Sequence, residues 1–171
     1  FLGRRLAKKL LQVGKLKNAE LREETITQIT LFDVVPALGF TDPRINVVTG
    51  DVNDAEAIKR VIDTDTTSIF HLAAVVSSQS EDDFDLGLSV NLDSSRLIFE
   101  TCRQLGHNPK VIFASSLAVY GGAIPDVVQD DTILNPKTSF GVQKAVVEML
   151  LSDYSRKGFI DGRALRLPTI A

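Results

Sequence analysis

Cysteine and long apolar runs are the scarcest features of this 171-residue chain. Cys102 is its single cysteine, so the chain cannot form an internal disulfide, and a reducing, cytoplasmic setting is the expectation. Cys102 lies in an amphipathic stretch, where a buried apolar role competes with that of a redox thiol. No apolar run approaches the roughly 20 residues that a membrane-spanning helix needs, so no membrane partner is expected.

Positive charge is also in short supply. The formal net charge is −3, from 19 Lys and Arg against 22 Asp and Glu, and the basic residues are scattered along the chain. This distribution gives no electrostatic case for binding nucleic acid. Histidine, cysteine and carboxylate residues do not cluster at the spacings of a metal site, so no metal is expected either.

The sequence does contain a regular alternation of strand-like and helix-like segments. Short β-branched, apolar runs predict strands, and longer segments with helical spacing of apolar residues predict helices. The predicted helices cover residues 2–15, 55–62, 84–105 and 138–157, and the predicted strands cover 25–35, 44–49, 68–74, 110–116 and 162–167. This alternation predicts an α/β fold, a doubly wound parallel (Rossmann) sheet with helices on both faces.

The order of the elements bears on domain organisation. The first predicted element is a helix, although a doubly wound sheet is built around a central first strand. The last predicted strand ends a few residues before the end of the chain. We therefore expect residues 1–171 to form one doubly wound α/β domain, with its first strand and a C-terminal substrate domain outside this chain.

Two residues in the first part of the chain favour a dinucleotide site. Gly3 opens the first helix, where a glycine lets a pyrophosphate approach the free N–H groups of the helix start. Asp33 closes a predicted strand, where an acid can accept both ribose hydroxyls of an adenosine and repel a 2′-phosphate, which favours NAD over NADP. Plain packing of Gly3 and solvation of Asp33 are the alternatives, and Arg4 and Arg5 could instead pair with a 2′-phosphate.

Further candidates follow the next two strands. Asp51 could bind an adenine amino group, with Val52 against the ring, although a turn or helix N-cap is an equally simple role for Asp51. His71 lies inside an apolar strand and is interpreted as a core histidine.

The most informative segments are FASSLAVYG at 113–121 and SFGVQK at 139–144. Ser116 falls at the carboxyl end of a strand, the edge where doubly wound folds bind ligands. Phe140 and Lys144 are four residues apart on a predicted helix and therefore share one face. A lysine there can hold a ribose and lower the pKa of a neighbouring acid.

Together with HLAA at 71–74 and Val90-Asn91, these segments make the chain resemble the extended short-chain dehydrogenase/reductases. That family includes nucleotide-sugar epimerases and dehydratases, and the resemblance covers essentially the whole chain. It implies a Rossmann-fold oxidoreductase that uses NAD. The residues it implies are, for the cofactor, Gly3, Asp33, Asp51, Val52, Ala73, Ala74, Lys144 and Pro168, and, for catalysis, Ser116, Lys144 and position 140.

Position 140 departs from the family pattern. The resemblance places a catalytic tyrosine there, and this chain has Phe140. Phenylalanine has no proton to exchange with a substrate hydroxyl, and losing a general acid/base costs about 10² to 10⁴ in rate. Cofactor binding should survive this change. Tyr120, in a predicted loop, is the other phenol that could act.

Within the family, a narrower resemblance indicates the substrate. The runs HLAAVVS at 71–77, SSLAVYGG at 115–122 and TSFGVQK at 138–144 are similar to those of members that oxidise a four-carbon sugar acid with NAD. This implies hydride transfer from a secondary alcohol, with Ser116 orienting the substrate oxygen and Lys144 holding the nicotinamide ribose.

Other positions concern the same substrate. Ala118 stands where dehydratases carry an acid, which argues against dehydration. Ser77 and Ser78 could bind the hydroxyls of a small polyol, or could form only a polar loop. Thr169, with Pro168, matches the segment beside the nicotinamide and is a further substrate-binding candidate.

The resemblance also implies a homodimer, because the two long helices pair across a four-helix interface in the family. Both predicted helices here carry apolar residues beyond those one core face needs: Leu97, Phe99, Val147 and Leu151. Two other functions stay open. One is a nucleotide-sugar epimerase that keeps its NAD bound, and the other is a catalytically silent NAD-binding module, which Phe140 would explain.

Overall fold

The computed structural model describes residues 1–169, in which helices and strands alternate as predicted. The helices are α1 (Leu2–Val13), α2 (Ala55–Val61), α3 (Ser77–Asp82), α4 (Phe84–Gly87), α5 (Ser94–Leu105) and α6 (Ser139–Arg156). The strands are β1 (Lys15–Lys17), β2 (Glu23–Thr25), β3 (Ile29–Asp33), β4 (Ile45–Thr49), β5 (Ser68–His71), β6 (Lys110–Ser116) and β7 (Asp161–Leu167). The last two positions of the predicted domain 1–171 lie outside the described residues.

The main strands are parallel, which confirms the predicted α/β fold. β3 pairs with β4, and β6 lies between β5 and β7. Within residues 1–169 no strand pairing joins β3 to β5, so the parallel strands form two hydrogen-bonded groups. β1 and β2 form a separate antiparallel hairpin.

One apolar cluster unites the two groups of strands. Val52 and Ile58, beyond β4, share this cluster with Phe99 on α5, Phe113 on β6 and Leu151 on α6. Full burial of an apolar side chain of this size contributes about 1.5–3 kcal/mol. Side-chain packing therefore joins the β3–β4 pair to the β5–β6–β7 group, which no backbone hydrogen bonds between strands connect within residues 1–169.

The hairpin is the largest departure from the predicted elements. Of the strand predicted over 25–35, residues 29–33 form β3 and Thr25 ends β2. The segment 15–25, for which no strand is predicted before Thr25, contains both β1 and β2. Asn18 holds the turn, because its Nδ2 donates to Glu24 at 2.7 Å and its Oδ1 accepts from the Arg22 N–H at 3.0 Å. Lys110, on β6, anchors the hairpin because its Nζ donates to the carbonyl oxygens of Lys17 and Asn18.

The helices show two further departures. Ser77 and Ser78, considered above as part of a polar loop, open helix α3. The region 84–105 is helical throughout, but a π-helical segment, Leu88–Asp93, joins α4 to α5. No helix within the described part of the chain is long and apolar enough to cross a membrane.

The residues cited for a dimer interface have another role. Phe99, Val147 and Leu151 are buried in the chain's own core, and Leu97 packs against it. The interpretation of these four positions as surplus apolar surface was therefore wrong. The outer face of α6 instead exposes Val142, Val146 and Met149.

Candidate active site

The carboxyl ends of the parallel strands bring the predicted site residues to one edge of the molecule. Asp33, at the end of β3, is level with Thr49 on β4, so Asp51 follows at the same edge. Ser116, at the end of β6, is level with Leu167 on β7, so Pro168 follows beside it. This is the edge at which open α/β sheets bind ligands.

Helix α1 begins beside the carboxyl end of β5. A Cβ added to Gly3 would meet Leu72 Cδ1 at 3.8 Å, an ordinary contact, so packing within the chain does not require glycine here. Phe1, at the N-cap, provides no side-chain cap for the helix. The first N–H groups of α1 therefore suit an anionic ligand, which would stabilise them by charge and hydrogen bonding.

The two aspartates that were candidates for the adenosine differ in their local contacts. Asp33 is exposed, and its Oδ1 accepts from the Val35 N–H at 3.2 Å. Asp51 Oδ1 accepts from the Asn53 N–H at 2.8 Å in a turn, whereas Asp54 caps α2. The turn alternative for Asp51 therefore holds, and the carboxylate remains exposed.

The side chain of Val52 packs inward. It belongs to the core cluster and is buried, so a contact with an adenine ring would fall to its backbone or to Asp51.

The turn after β5 is held by Asn91, a residue that sequence reasoning used only as a motif position. Its Oδ1 accepts from the Val75 N–H at 3.0 Å, and its Nδ2 donates to the Val75 carbonyl at 3.3 Å. Asn91 is buried in the π-helical segment, a kind of irregularity that is frequent at functional sites. It therefore holds Val75, the residue that follows the exposed Ala73 and Ala74.

Asn91 also links this turn to helix α6. Its Nδ2 donates to Ser80 Oγ at 3.0 Å and to Gln143 Oε1 at 2.8 Å. The half-buried Ser77 therefore lies at the start of helix α3, which Asn91 connects to α6, and not in a free loop.

Ser116 is half-buried at the end of β6, with its Oγ accepting from the Ala118 N–H at 3.1 Å. This bond caps the short 3-10 turn Leu117–Val119. Gly141, in the first turn of α6, packs against the same turn, and a Cβ there would collide with the Ala118 carbonyl oxygen. The glycine thus lets α6 approach Ser116 closely.

Lys144 is the most deeply placed charged group at this edge. It is 2% exposed, and its Nζ donates to the Ala114 carbonyl at 2.9 Å. The Nζ also lies 4.7 Å from the centroid of the Phe113 ring and 5.4 Å from that of Phe140. Phe140 and Lys144 therefore share one face, as their spacing predicts.

Burial sets the protonation of two groups near β6. Loss of solvent lowers the pKa of Lys144 to about 8. His71 is buried, with its Nε2 2.8 Å from Ser95 Oγ, and burial, followed by the charge of Lys144, lowers its pKa to about 3. His71 is therefore neutral at physiological pH and lies in the core, as interpreted from the sequence.

An ion-pair cluster behind the site was not anticipated. It consists of Ser115, Tyr120, Glu148 and Arg166, and we call it the Arg166 cluster. Arg166 Nη2 lies 2.8 Å from Glu148 Oε2, and the two side chains are 23% and 9% exposed. Ser115 donates to Glu148, and Arg166 donates to the Tyr120 hydroxyl.

The cluster includes Tyr120, the other phenol that could act in place of Phe140, and holds its hydroxyl by hydrogen bonds. Tyr120 is buried, and its hydroxyl donates to the Gln129 carbonyl at 3.3 Å while it accepts from Arg166. One signal could have revealed the cluster: Glu148 lies four residues after Lys144 and so shares its face of α6.

Thiol and metal chemistry find no support in the described residues. Cys102 is buried, and burial raises the pKa of its thiol to about 12, which leaves it protonated and unreactive. Within residues 1–169 no three histidine, cysteine or carboxylate side chains are grouped so that they could hold a metal ion.

Comparison with known proteins places these residues in a family. The pattern of the NAD dependent epimerase/dehydratase family matches residues 1–171. D-erythronate dehydrogenase of Cupriavidus necator is 61% identical over the whole chain, and that of Haemophilus influenzae is 44% identical over 99% of it. The chain spans about half the length of both relatives, 52% in each case. The narrower resemblance predicted from the sequence is thus confirmed.

Solved structures show the same relationship. The nucleoside-diphosphate-sugar epimerase from Agrobacterium tumefaciens matches 99% of this chain and 50% of its own, with a TM-score of 0.87 and 38% identity. UDP-glucose 4-epimerase from Thermus thermophilus, in complex with NAD, matches 97% of this chain and 51% of its own, with a TM-score of 0.77 and 26% identity. The chain belongs to the NAD dependent epimerase/dehydratase family, that is, to the extended short-chain dehydrogenase/reductases.

Proposed function

We propose that the protein is an NAD-dependent dehydrogenase that oxidises a secondary alcohol of a small sugar acid of the D-erythronate type. The observation that carries this proposal is the arrangement, at the carboxyl ends of the parallel strands, of the exposed Asp33, the half-buried Ser116 and the buried Lys144. The two relatives named D-erythronate dehydrogenase support the choice of substrate class.

NAD is the cofactor that fits this edge. The uncapped start of α1 at Gly3 would bind the pyrophosphate, and Asp33 would accept the adenosine ribose hydroxyls. Asp51 would bind the adenine, helped by the backbone of Val52. When bound, NAD supplies the acceptor for the hydride of the substrate's carbinol carbon.

The reacting end of the cofactor would lie between β5, β6 and β7. The exposed residues Ala73, Ala74 and Pro168 would line it. Lys144 has one hydrogen bond within the described residues, so its remaining N–H groups would hold the nicotinamide ribose.

The substrate would lie over the end of β6. The hydroxyl of Ser116 would orient the reacting oxygen, because its Oγ accepts the Ala118 N–H and its own O–H can rotate to donate to the substrate. Ser77 and Thr169 would bind further hydroxyls of the sugar acid. Phe140 would pack against the substrate without exchanging a proton.

Two other functions follow from specific observations. The structural match to sugar-nucleotide epimerases favours an isomerase that retains its NAD, and Phe140 favours an NAD-binding module without turnover. Assay of NAD released on denaturing the purified protein separates the first from a dehydrogenase, which exchanges its cofactor during turnover.

The organisation of the whole protein is also a proposal. We infer that residues 1–171 are an NAD-binding domain, that a further strand fills the unpaired interval between β3 and β5, and that a substrate domain completes the site. The exposed Val142, Val146 and Met149 support a homodimer through α6. The buried free thiol of Cys102 supports a cytoplasmic setting.

Restoring the phenol tests the proposed function. We expect Phe140→Tyr to raise the rate of NAD reduction by D-erythronate by about 10² to 10⁴, because the variant gains a general acid/base. Phe159→Tyr, which adds a phenol to a partly exposed side chain just before the amino end of β7, is the matched control and should change nothing. A Phe140→Tyr protein that binds NAD yet reduces none with D-erythronate would refute the proposal.

A further inference from the structure

Oxidation of an alcohol needs a base for the hydroxyl proton, and Phe140 cannot be that base. The base must therefore be another group near the carboxyl end of β6 that can take up a proton. Serine hydroxyls cannot take a proton at neutral pH without a neighbouring base. The other groups that could do so there, among the described residues, are Tyr120, His71, Glu81, Glu148 and Lys144.

Four of these five groups already have other partners. Glu148 is paired with Arg166 and accepts from Ser115. The Tyr120 hydroxyl is bound between Arg166 and the Gln129 carbonyl. His71 is turned to Ser95 within the core. Glu81 is exposed and accepts from the Ser139 N–H at the start of α6.

Lys144, by contrast, is bonded to one backbone carbonyl and to no titratable side chain among the described residues. Its side chain reaches β6 two residues before Ser116, where its Nζ has one acceptor, the Ala114 carbonyl, within the described residues. Its other neighbours there are the faces of the Phe113 and Phe140 rings, which offer no atom that could accept a full hydrogen bond or share a proton. A phenylalanine at position 140 thus leaves the Lys144 amine, which is bound to β6 two residues before Ser116, as the group there that could still take up a proton.

We propose that Lys144 Nζ takes the proton of the substrate hydroxyl in this protein, directly or through one water held in place of the missing phenol oxygen. The inference rests on the proposed function. The carbinol C–H bond breaks with its electron pair leaving as hydride, the C=O bond forms, and the O–H proton passes to a neutral amine, which becomes an ammonium. That ammonium then releases the proton to solvent.

The surroundings of Lys144 keep a neutral amine accessible. Burial lowers its pKa to about 8, so about a tenth of the amine is neutral at pH 7, against less than about a thousandth at the ordinary lysine value. His71, on β5, stays uncharged above pH 3 or so and does not compete for the proton. Glu148, one turn along α6, and Arg166, on β7, are paired with each other.

The pH dependence of turnover tests this inference. We expect the rate of NAD reduction by D-erythronate to rise about tenfold per pH unit below a midpoint near 8, and Phe140→Tyr to move that midpoint. Lys144→Ala should lower the rate at least about tenfold, and added methylamine should restore it in proportion to its concentration. Lys157→Ala, at the exposed C-cap of α6, is the matched control.

A second readout does not depend on turnover. In protein labelled with 13C at lysine Cε, one resonance should titrate near pH 8 and be absent from Lys144→Met. A Lys144 resonance that titrates near pH 10.5, or a Lys144→Ala rate that methylamine leaves unchanged, would overturn the inference.

The two proposals fail in different ways. If Phe140→Tyr oxidises D-erythronate and the Phe140 protein does not at any pH from 7 to 10, the role of Lys144 falls and the proposed function stands. If neither protein binds NAD, or neither oxidises D-erythronate, both fall.

Discussion

At the scale of single residues, burial decides the chemistry of this site more than residue type does. Lys144 and His71 approach the same Phe113 ring, from α6 and from β5, and loss of solvent lowers the pKa of both. His71 becomes a permanently neutral core residue, whereas Lys144 becomes a base that is available near neutral pH. Such strongly shifted groups in a cleft are typical of functional sites.

His71 predicts how stability depends on pH. Burial lowers the pKa of His71 from 6.5 to about 3 in the folded state. Between these two pH values the histidine is protonated in the unfolded chain and neutral in the folded chain. The free energy of unfolding should therefore fall by about 1.4 kcal/mol per pH unit between pH 6.5 and 3 on account of this group.

Urea unfolding at a series of pH values checks this slope. His71→Asn, which cannot be protonated, is the comparison, and the difference between the two proteins isolates the histidine from the carboxylates that also titrate. Parallel curves for the two proteins over this range would contradict the assignment of a buried, neutral His71.

At the scale of elements, the Arg166 cluster connects three segments that carry the site. Ser115 precedes Ser116 on β6, and Glu148 follows Lys144 by one turn on α6. Arg166 lies on β7, two residues before Pro168. Because its two charges are largely out of water, removing one partner leaves the other buried and uncompensated.

We expect Glu148→Ala to lower the free energy of unfolding by about 3–5 kcal/mol. The double variant Glu148→Ala/Arg166→Met should recover part of that loss, because it leaves no unpaired charge. Arg156→Ala provides the control, since its pair with Asp153 on the same helix has side chains 67% and 57% exposed and should contribute less than about 1 kcal/mol. Equal losses from Glu148→Ala and Arg156→Ala in urea unfolding would contradict this account.

The elements themselves were largely predictable from the sequence. The strand at Lys110–Ser116 and the helix through α6 follow from apolar periodicity, which reports burial on one face or both. The β1–β2 hairpin was not predictable in this way, because it is held by Asn18 and by Lys110, a residue about 90 positions away. Periodicity carries no information on such a contact.

The candidate site likewise has features that the sequence predicts and features that it does not. Asp33, Ser116 and Lys144 lie where strand ends and helix faces predict, because parallel strands align their carboxyl ends. The burial of Val52, the clamp of Asn91 on Val75 and the engagement of Tyr120 depend on packing between distant segments. Those features required the structure.

At the scale of the whole molecule, the outer face of α6 matters most. Val142, Val146 and Met149 recur at spacings of four and three residues and form one exposed apolar stripe. Apolar residues in such a row mark interaction surfaces more often than isolated ones do.

We expect the protein to sediment as a homodimer at micromolar concentration, with this stripe buried between two copies. The change Val146→Glu should shift it toward monomer, because a charge would then be desolvated at the centre of the interface. Val127→Glu, on an exposed loop residue away from α6, is the control and should leave the mass unchanged. A wild-type protein that sediments as a monomer would contradict the dimer.

The central claim is that a dinucleotide binds across the start of α1 with its adenosine ribose against Asp33. Calorimetric titration of NAD into the protein tests it most directly, with Asp33→Ala as the partner experiment. We expect saturable heat from NAD, and an affinity lowered about 10- to 100-fold in Asp33→Ala, since hydrogen bonds to a charged group contribute about 1.5–3 kcal/mol. No heat from NAD, or equal affinities for the two proteins, would contradict the account.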